Sequence, residues 1–449
     1  MTSPVLKCQA SPQFIAKVQE IEDRCNTWAE NLALAGFTHD TAVWGSLTQL
    51  VDLIEQQVGK FGHGSQQQRE AMINLGRAGA LLLNTLRGTN LAVKEPLLRW
   101  TSELRRASNQ AVLLAHNCET FISCFTMWHK NRYAVEVLSD ASLRFSVPVS
   151  LMDRRIQAYQ QGRRVSNWPS TQDNPFEKAF VDNPDVNHLL LRLRKRVELQ
   201  GALAMSYPDD GELLSLLRNI HDAKLRADFR RNPLLDLGGY KLEDFRRFFA
   251  VLTSLCAVHE YLCDDWFKRC GRYPFETAVM VKPLSEWTHL IAGLCDVPES
   301  QVRLMIADLT FGAIKPLDIY IHPFVPSLDD ETLFLVPHFI LNSRAEENIL
   351  RVCSYARPDY YRPIANAKEL EMRQRIKNDA PPGYTVVGPL KLPDPKLPDI
   401  DIVIMDGKSS VILIGELKWL RKVTRAIEHL NRDVELDEGF DNLETSVNS

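Results

Sequence analysis

Two short apolar runs near the end of the chain constrain its folding most. Residues 400–405, apart from an acidic start, and residues 411–417, apart from Glu416, lack the alternation of polar and apolar side chains that a half-solvated strand shows. Strands of this kind are buried on both faces, so helices are expected to cover the sheet they form. Between them lies Asp406-Gly407-Lys408-Ser409-Ser410, a short stretch of turn formers that reads as a hairpin connection.

The hairpin fixes a register. Side chains alternate along a strand, so Glu416 and Lys418 share one face, and so do Asp399 and Asp401. If residues 407–410 form the loop, Asp406 sits opposite Val411 and Asp401 falls opposite Glu416. Their Cβ atoms are then roughly 5 Å apart. Two bare carboxylates at that separation repel, and one tends to take up a proton. A divalent cation removes the conflict, and Mg²⁺, which binds a few carboxylates together with waters and phosphate oxygens, suits such a pair. Lys418 is placed to position or help deprotonate a water and to offset charge in a transition state.

A helix expected over 365–378 precedes the hairpin. Ala365, Glu369, Met372 and Ile376 recur at helical spacing and mark one face, which directs Glu369 toward the sheet. Glu371 lies roughly 200° further round and is the alternative. Residues 384–387 read as a first strand, and a last helix is expected over 424–443.

These residues resemble the PD-(D/E)xK nuclease superfamily, with its restriction-endonuclease-like fold. The match is Pro398-Asp399-Ile400-Asp401, then Glu416-Leu417-Lys418, behind a helix bearing Glu369, and it covers about the last fifth of the chain. The resemblance implies that Asp401 and Glu416 bind Mg²⁺ or Mn²⁺, that Glu369 and Asp399 add to the metal site, and that Lys418 serves the attacking water. It implies a nucleic-acid substrate, DNA ahead of RNA. It also implies a further strand after the last helix. The sequence offers none, so a trimmed α-β-β-β-α core is expected.

The rest of the chain reads differently. Residues 12–135 are mostly helical by periodicity, with one break at Gly62-His63-Gly64-Ser65 and helices over 69–86 and 110–130. A Pro/Asn/Ser-rich loop over 166–175 leads into further helices from residue 187 past 210, over 241–270 and over 298–306. A β-hairpin is expected from 318–325 and 332–337, then a helix over 344–353, with a boundary at Tyr360-Tyr361-Arg362-Pro363. The fold expected is therefore multidomain. It comprises helical regions at 1–165 and 166–310, a hairpin-plus-helix connector at 311–360, and a nuclease-like α/β unit at 361–449.

Composition narrows the function classes. The net charge of −4 gives no global attraction to polyanions, so nucleic acid would need a local basic patch. Arg192, Arg194, Lys195 and Arg196, with Arg226, Arg230, Arg231, Arg246 and Arg247, are the candidates, set against the ordinary reading of solvated helix faces. Cys256, His259, Cys263 and Cys270 share a helix face. A seam of small apolar side chains explains them better than zinc, because one helix face seldom supplies a closed ligand set. The nine cysteines form no CxxC pair, and no segment reads as a signal peptide or membrane span, so an intracellular protein with reduced thiols is expected. P-loop, GxGxxG and HExxH motifs are absent from the sequence. The alternative to a nuclease is a non-enzymatic helical interaction protein, joining a protein partner or a second copy of itself through the helical region, whose C-terminal unit is degenerate or truncated.

Overall fold

A computed structural model describes residues 12–61, 66–89, 98–129, 134–139, 142–146, 183–200, 203–229, 232–313, 318–391, 401–406 and 412–415. Among these the chain is mostly helical, with small antiparallel sheets.

The N-terminal region supplies α1 (Pro12–Glu30), α2 (His39–Phe61), α3 (Gln66–Arg87) and α4 (Ser102–His129). Helix α4 starts a full two turns earlier than periodicity marks it. Thr101 accounts for this: its hydroxyl accepts from the Leu104 amide at 3.1 Å, the side-chain capping that starts a helix. A hairpin that the sequence reading missed follows, β1 (Ala134–Ser139) with β2 (Ser142–Ser146).

The middle of the chain holds α5 (Pro184–Arg194), a two-residue ladder of β3 (Glu198–Leu199) with β4 (Met205–Ser206), then α6 (Gly211–Asp228) and α7 (Leu242–Cys270). The helical stretch expected to run from 187 past 210 is thus interrupted. Asn183 and Asp210 cap α5 and α6, their side chains accepting from the amides of Asp185 and Val186, and of Leu213. Helix α7 matches its expected bounds because both ends are written locally. The Asp244 carboxylate accepts from the Lys241 amide at 3.1 Å, and Gly271 closes the helix in the left-handed conformation at φ 67°.

Then come β5 (Met280–Pro283), α8 (Leu284–Cys295), α9 (Glu299–Asp308), β6 (Phe324–Pro326), β7 (Thr332–Leu335), α10 (Pro337–Leu341) and α11 (Ala345–Ala356). The expected hairpin is β6–β7, shorter in its first arm because Asp318–His322 form a turn. A third strand, β5, joins on the other side of β7, with Met280 opposite Leu335.

One contiguous core runs from Trp28 to Ile364. Trp44, Phe245, Phe248, Trp266, Trp287, Phe324 and Phe339 are among its largest fully buried side chains, each stabilising the fold by about 2–3 kcal/mol. The N-terminal helices belong to this core. Asp40 accepts from the Leu328 amide at 2.9 Å, and Glu276 accepts from the Trp100 amide at 2.9 Å.

The last elements are α12 (Pro358–Asp379), β8 (Tyr384–Val387), β9 (Ile402–Asp406) and β10 (Ile412–Gly415). Helix α12 starts before the boundary expected at Pro363 and runs through that proline, which sits in the second turn. Its start is fastened to the core. Arg357 pairs with Asp308, donates to the Gly238 carbonyl at 3.3 Å and lies over the Tyr240 ring at 5.5 Å. This set of contacts outweighs the single helical hydrogen bond that Pro363 removes.

Candidate functional site

The three C-terminal strands form an antiparallel sheet of order β10-β9-β8. Ile412 pairs with Met405, Leu413 with Ile404, Ile414 with Val403 and Gly415 with Ile402. This is the register derived from strand parity and a four-residue loop. On β9, neighbouring residues Ile402 and Val403 point to opposite faces and both are buried, whereas Ile404 and Met405 are half-buried. Both faces are therefore covered at the end where Asp401 enters the sheet.

Asp401 immediately precedes β9. Gly388 is why the chain can pass there: at φ 142°, a Cβ on this residue would collide with the Asp401 carbonyl. From the helix side, Arg373 Nη2 donates to Asp401 Oδ1 at 3.3 Å. Glu369 lies one turn before Arg373 on the same face and is half-buried; Glu371 is exposed. Met372, expected on the inward face, is exposed at 42 %, so the face is centred on Glu369, Arg373 and Ile376. Asp399, Glu416, Lys418 and the helix expected over 424–443 lie outside the described residues.

The described candidate phosphate-binding arginines pair with carboxylates. Arg192 donates to both oxygens of Asp210 at 3.0 and 2.8 Å and also meets Glu212 at 2.9 Å. Arg196 reaches Asp210 at 3.6 Å, and Arg194 pairs with Asp265 at 3.1 Å. Arg246 pairs with Asp222 and Arg247 with Glu243. Lys195 follows directly as the C-cap of α5, and Arg230 and Arg231 lie outside the described residues. In this arrangement each paired arginine answers a carboxylate of the body, the ordinary fate of a charge run.

The Cys256–His259–Cys263 face of α7 is core. Both cysteines are fully buried, and burial pushes their thiols well above the usual range. His259 Nδ1 meets the Tyr207 hydroxyl at 2.5 Å, and burial pulls its imidazole down to about 4. Both residues line a cavity of about 480 Å³ that also takes in Arg99, Asp209, Glu276 and Lys282. Lys282 answers Glu286 at 2.5 Å and Asp209 at 3.3 Å, which leaves the cavity with no uncompensated charge from that lysine.

A different constellation escaped the sequence. Glu55 of α2, Glu260 of α7 and His338 of α10 converge, each offering a ligand atom within 4.8 Å of the others. His338 Nε2 lies 2.6 Å from Glu55 Oε1 and 3.4 Å from Glu260 Oε2. The Tyr273 hydroxyl donates to Glu260 Oε2 at 3.4 Å, whereas Glu260 Oε1 is buried without a hydrogen-bond partner. Burial raises the Glu260 carboxyl well above the usual range, and Glu55 and Asp264 add to the rise. Burial alone would lower His338, yet the carboxylates of Glu260 and Glu55 outweigh it and raise the imidazole. No local signal could reveal this set, because its three members come from distant parts of the chain.

No helix among the described residues is long and apolar enough to cross a membrane. The chain matches no protein-family model, no curated protein and no solved structure.

Proposed function

We propose that the C-terminal unit is a metal-dependent phosphodiesterase acting on nucleic acid, DNA ahead of RNA, with the helical body recognising substrate or partner. The observation that carries this reading is the β9–β10 ladder, whose four described pairs run from Met405 with Ile412 to Ile402 with Gly415. Continued by one residue, that register would set Asp401 opposite Glu416.

The donor chemistry of the described part fits a cation. Asp401 stands where the sheet meets α12 and already attracts a guanidinium, and Glu369 lies on the helix face that carries that guanidinium. Asp401 and Glu416 would hold Mg²⁺ or Mn²⁺, with Glu369 and Asp399 contributing further oxygens. The ion would supply a Lewis acid for the phosphoryl oxygens.

The chain's own residues do the rest. Lys418 lies two residues after Glu416, so a strand continuing that far would bring both to one face. It orients the attacking water beside the scissile phosphate and offsets the charge that builds on the phosphoryl oxygens. Arg373 neutralises Asp401 until substrate and ion arrive. The paired arginines of α5 and α7 would have to exchange their carboxylates for phosphate to grip nucleic acid.

The test is incubation of the purified protein with plasmid and with single-stranded DNA, in Mg²⁺, Mn²⁺ or EDTA, beside Asp401→Asn and Lys418→Ala. Metal-dependent cutting that both substitutions abolish is the expected result. Equal background in every sample removes the nuclease reading and leaves a helical interaction protein with a degenerate C-terminal unit.

A further inference from the structure

We propose that Glu55, Glu260 and His338 form a binding site for a divalent transition-metal cation of the Zn²⁺ or Mn²⁺ class, tying α2, α7 and α10 together. The proposal is independent of the nuclease reading, since none of its residues belongs to the C-terminal unit.

The ligand set itself argues for a metal. Two carboxylates and one imidazole face a common point from three separate helices. An imidazole with carboxylates selects zinc or manganese over calcium and magnesium, which prefer oxygen donors throughout. Without a cation two carboxyl groups meet one imidazole, and Glu260 Oε1 is left buried with no hydrogen-bond partner. An unsatisfied carboxylate oxygen in that setting costs free energy that a bound cation recovers.

The distances leave room for the ion after one small adjustment. Zinc ligands at about 2.1 Å in tetrahedral array stand about 3.4 Å from one another. His338 Nε2 and Glu260 Oε2 are already 3.4 Å apart. The 2.6 Å contact between His338 and Glu55 has to open, and Glu55 can move because its side chain is the most exposed of the three, at 26 % against 14 % for Glu260 and 5 % for His338. The same exposure gives the ion its way in. Glu260 can bind through both oxygens, which takes up the orphaned Oε1. With Glu260 bidentate the three residues supply four donor atoms, and a water would complete a five-coordinate shell.

The neighbouring cysteines do not compete. Cys256 and Cys263 are fully buried, and among the described residues the ligand atoms that converge are those of Glu55, Glu260 and His338.

The experiment uses full-length protein carrying Asp401→Asn, so that the C-terminal carboxylates do not obscure the count. Equilibrium dialysis against Zn²⁺ and against Mn²⁺ is followed by elemental analysis and thermal melting. About one equivalent retained, with a saturable rise in Tm, is expected. Glu260→Gln and His338→Gln should each weaken binding by about tenfold or more. Because these two positions are buried, Glu55→Gln at the rim is the third variant. The Co²⁺-loaded parent should show visible absorption that Zn²⁺ displaces. No uptake up to millimolar metal overturns the proposal, as does uptake that all three variants leave unchanged. Cleavage of DNA by the unsubstituted chain bears on neither outcome.

Discussion

Arg373 and Asp401 meet where α12 faces the entry of β9, with Nη2 donating to Oδ1 at 3.3 Å and both side chains about four-fifths buried. The pair couples the helix to the strand that carries the candidate catalytic carboxylate. Arg373→Gln should cost about 1 kcal/mol in stability, the scale of a partly screened ion pair. Under the proposed function it should also lower the Mg²⁺ concentration needed for half-maximal cleavage, because the ion no longer competes with a guanidinium. A metal titration of plasmid cleavage reads this, and an unchanged midpoint would show that Arg373 does not guard the site.

Gly388 is the second constraint on Asp401. Its φ of 142° is a glycine conformation, and an added Cβ would strike the Asp401 backbone. Gly388→Ala should destabilise the C-terminal sheet by about 1–3 kcal/mol. Hydrogen exchange should quicken at Ile402–Asp406 while the amides of α7 stay protected. Uniform loss of protection across the chain would contradict a local effect.

Cys25 and Cys118 bring their sulfurs to 2.8 Å across α1 and α4 as free thiols. Burial and the neighbouring sulfur push Cys118 up to about 12, so it reacts slowly at neutral pH. Treatment with diamide should remove two protons and two electrons from the pair and form one intramolecular disulfide. Closing so long a loop stabilises by about 4–5 kcal/mol in the chain-entropy account. Intact mass, non-reducing peptide mapping and melting test this. Cys118→Ser should abolish both the cross-link and the rise in Tm.

His221 makes the fold sensitive to acid. Ser254 spends its single hydroxyl proton on the Ala250 carbonyl at 2.7 Å, so His221 Nδ1, at 2.8 Å, must donate to the Ser254 oxygen. The imidazole is neutral, and burial, with Lys224 adding repulsion, pulls it down to about 3. Its folded value lies below the unfolded one, so its contribution is present in full above about pH 6.5 and is lost as pH falls toward 3. Between pH 6.5 and 5 the loss is about 2 kcal/mol. Urea melts at those two values should converge in His221→Gln relative to the parent; an equal slope in both proteins would exclude His221 as the source.

Local rules explain what could be read in advance. Helix α7 carries its own start and stop in Asp244 and Gly271, so its bounds were legible. The β9–β10 register was legible because side-chain alternation and a four-residue loop leave one pairing. The hairpin of β1 and β2 was missed although Val135, Val137, Leu143 and Phe145 alternate along its arms. Strand β5 was missed for a stronger reason: its partner β7 is remote in sequence, and four residues carry too little pattern to announce a strand.

By itself the sequence determined the helical character of the body, the pairing of the last two strands and the helix face that bears Glu369, since each follows from periodicity and nearest-neighbour chemistry. Only the tertiary structure decided that Arg373 meets Asp401, that Arg192, Arg194, Arg246 and Arg247 pair with Asp210, Asp265, Asp222 and Glu243, and that Glu55, Glu260 and His338 converge. Those contacts are made by side chains from separate elements, and no local pattern encodes which buried groups a shared core will press together.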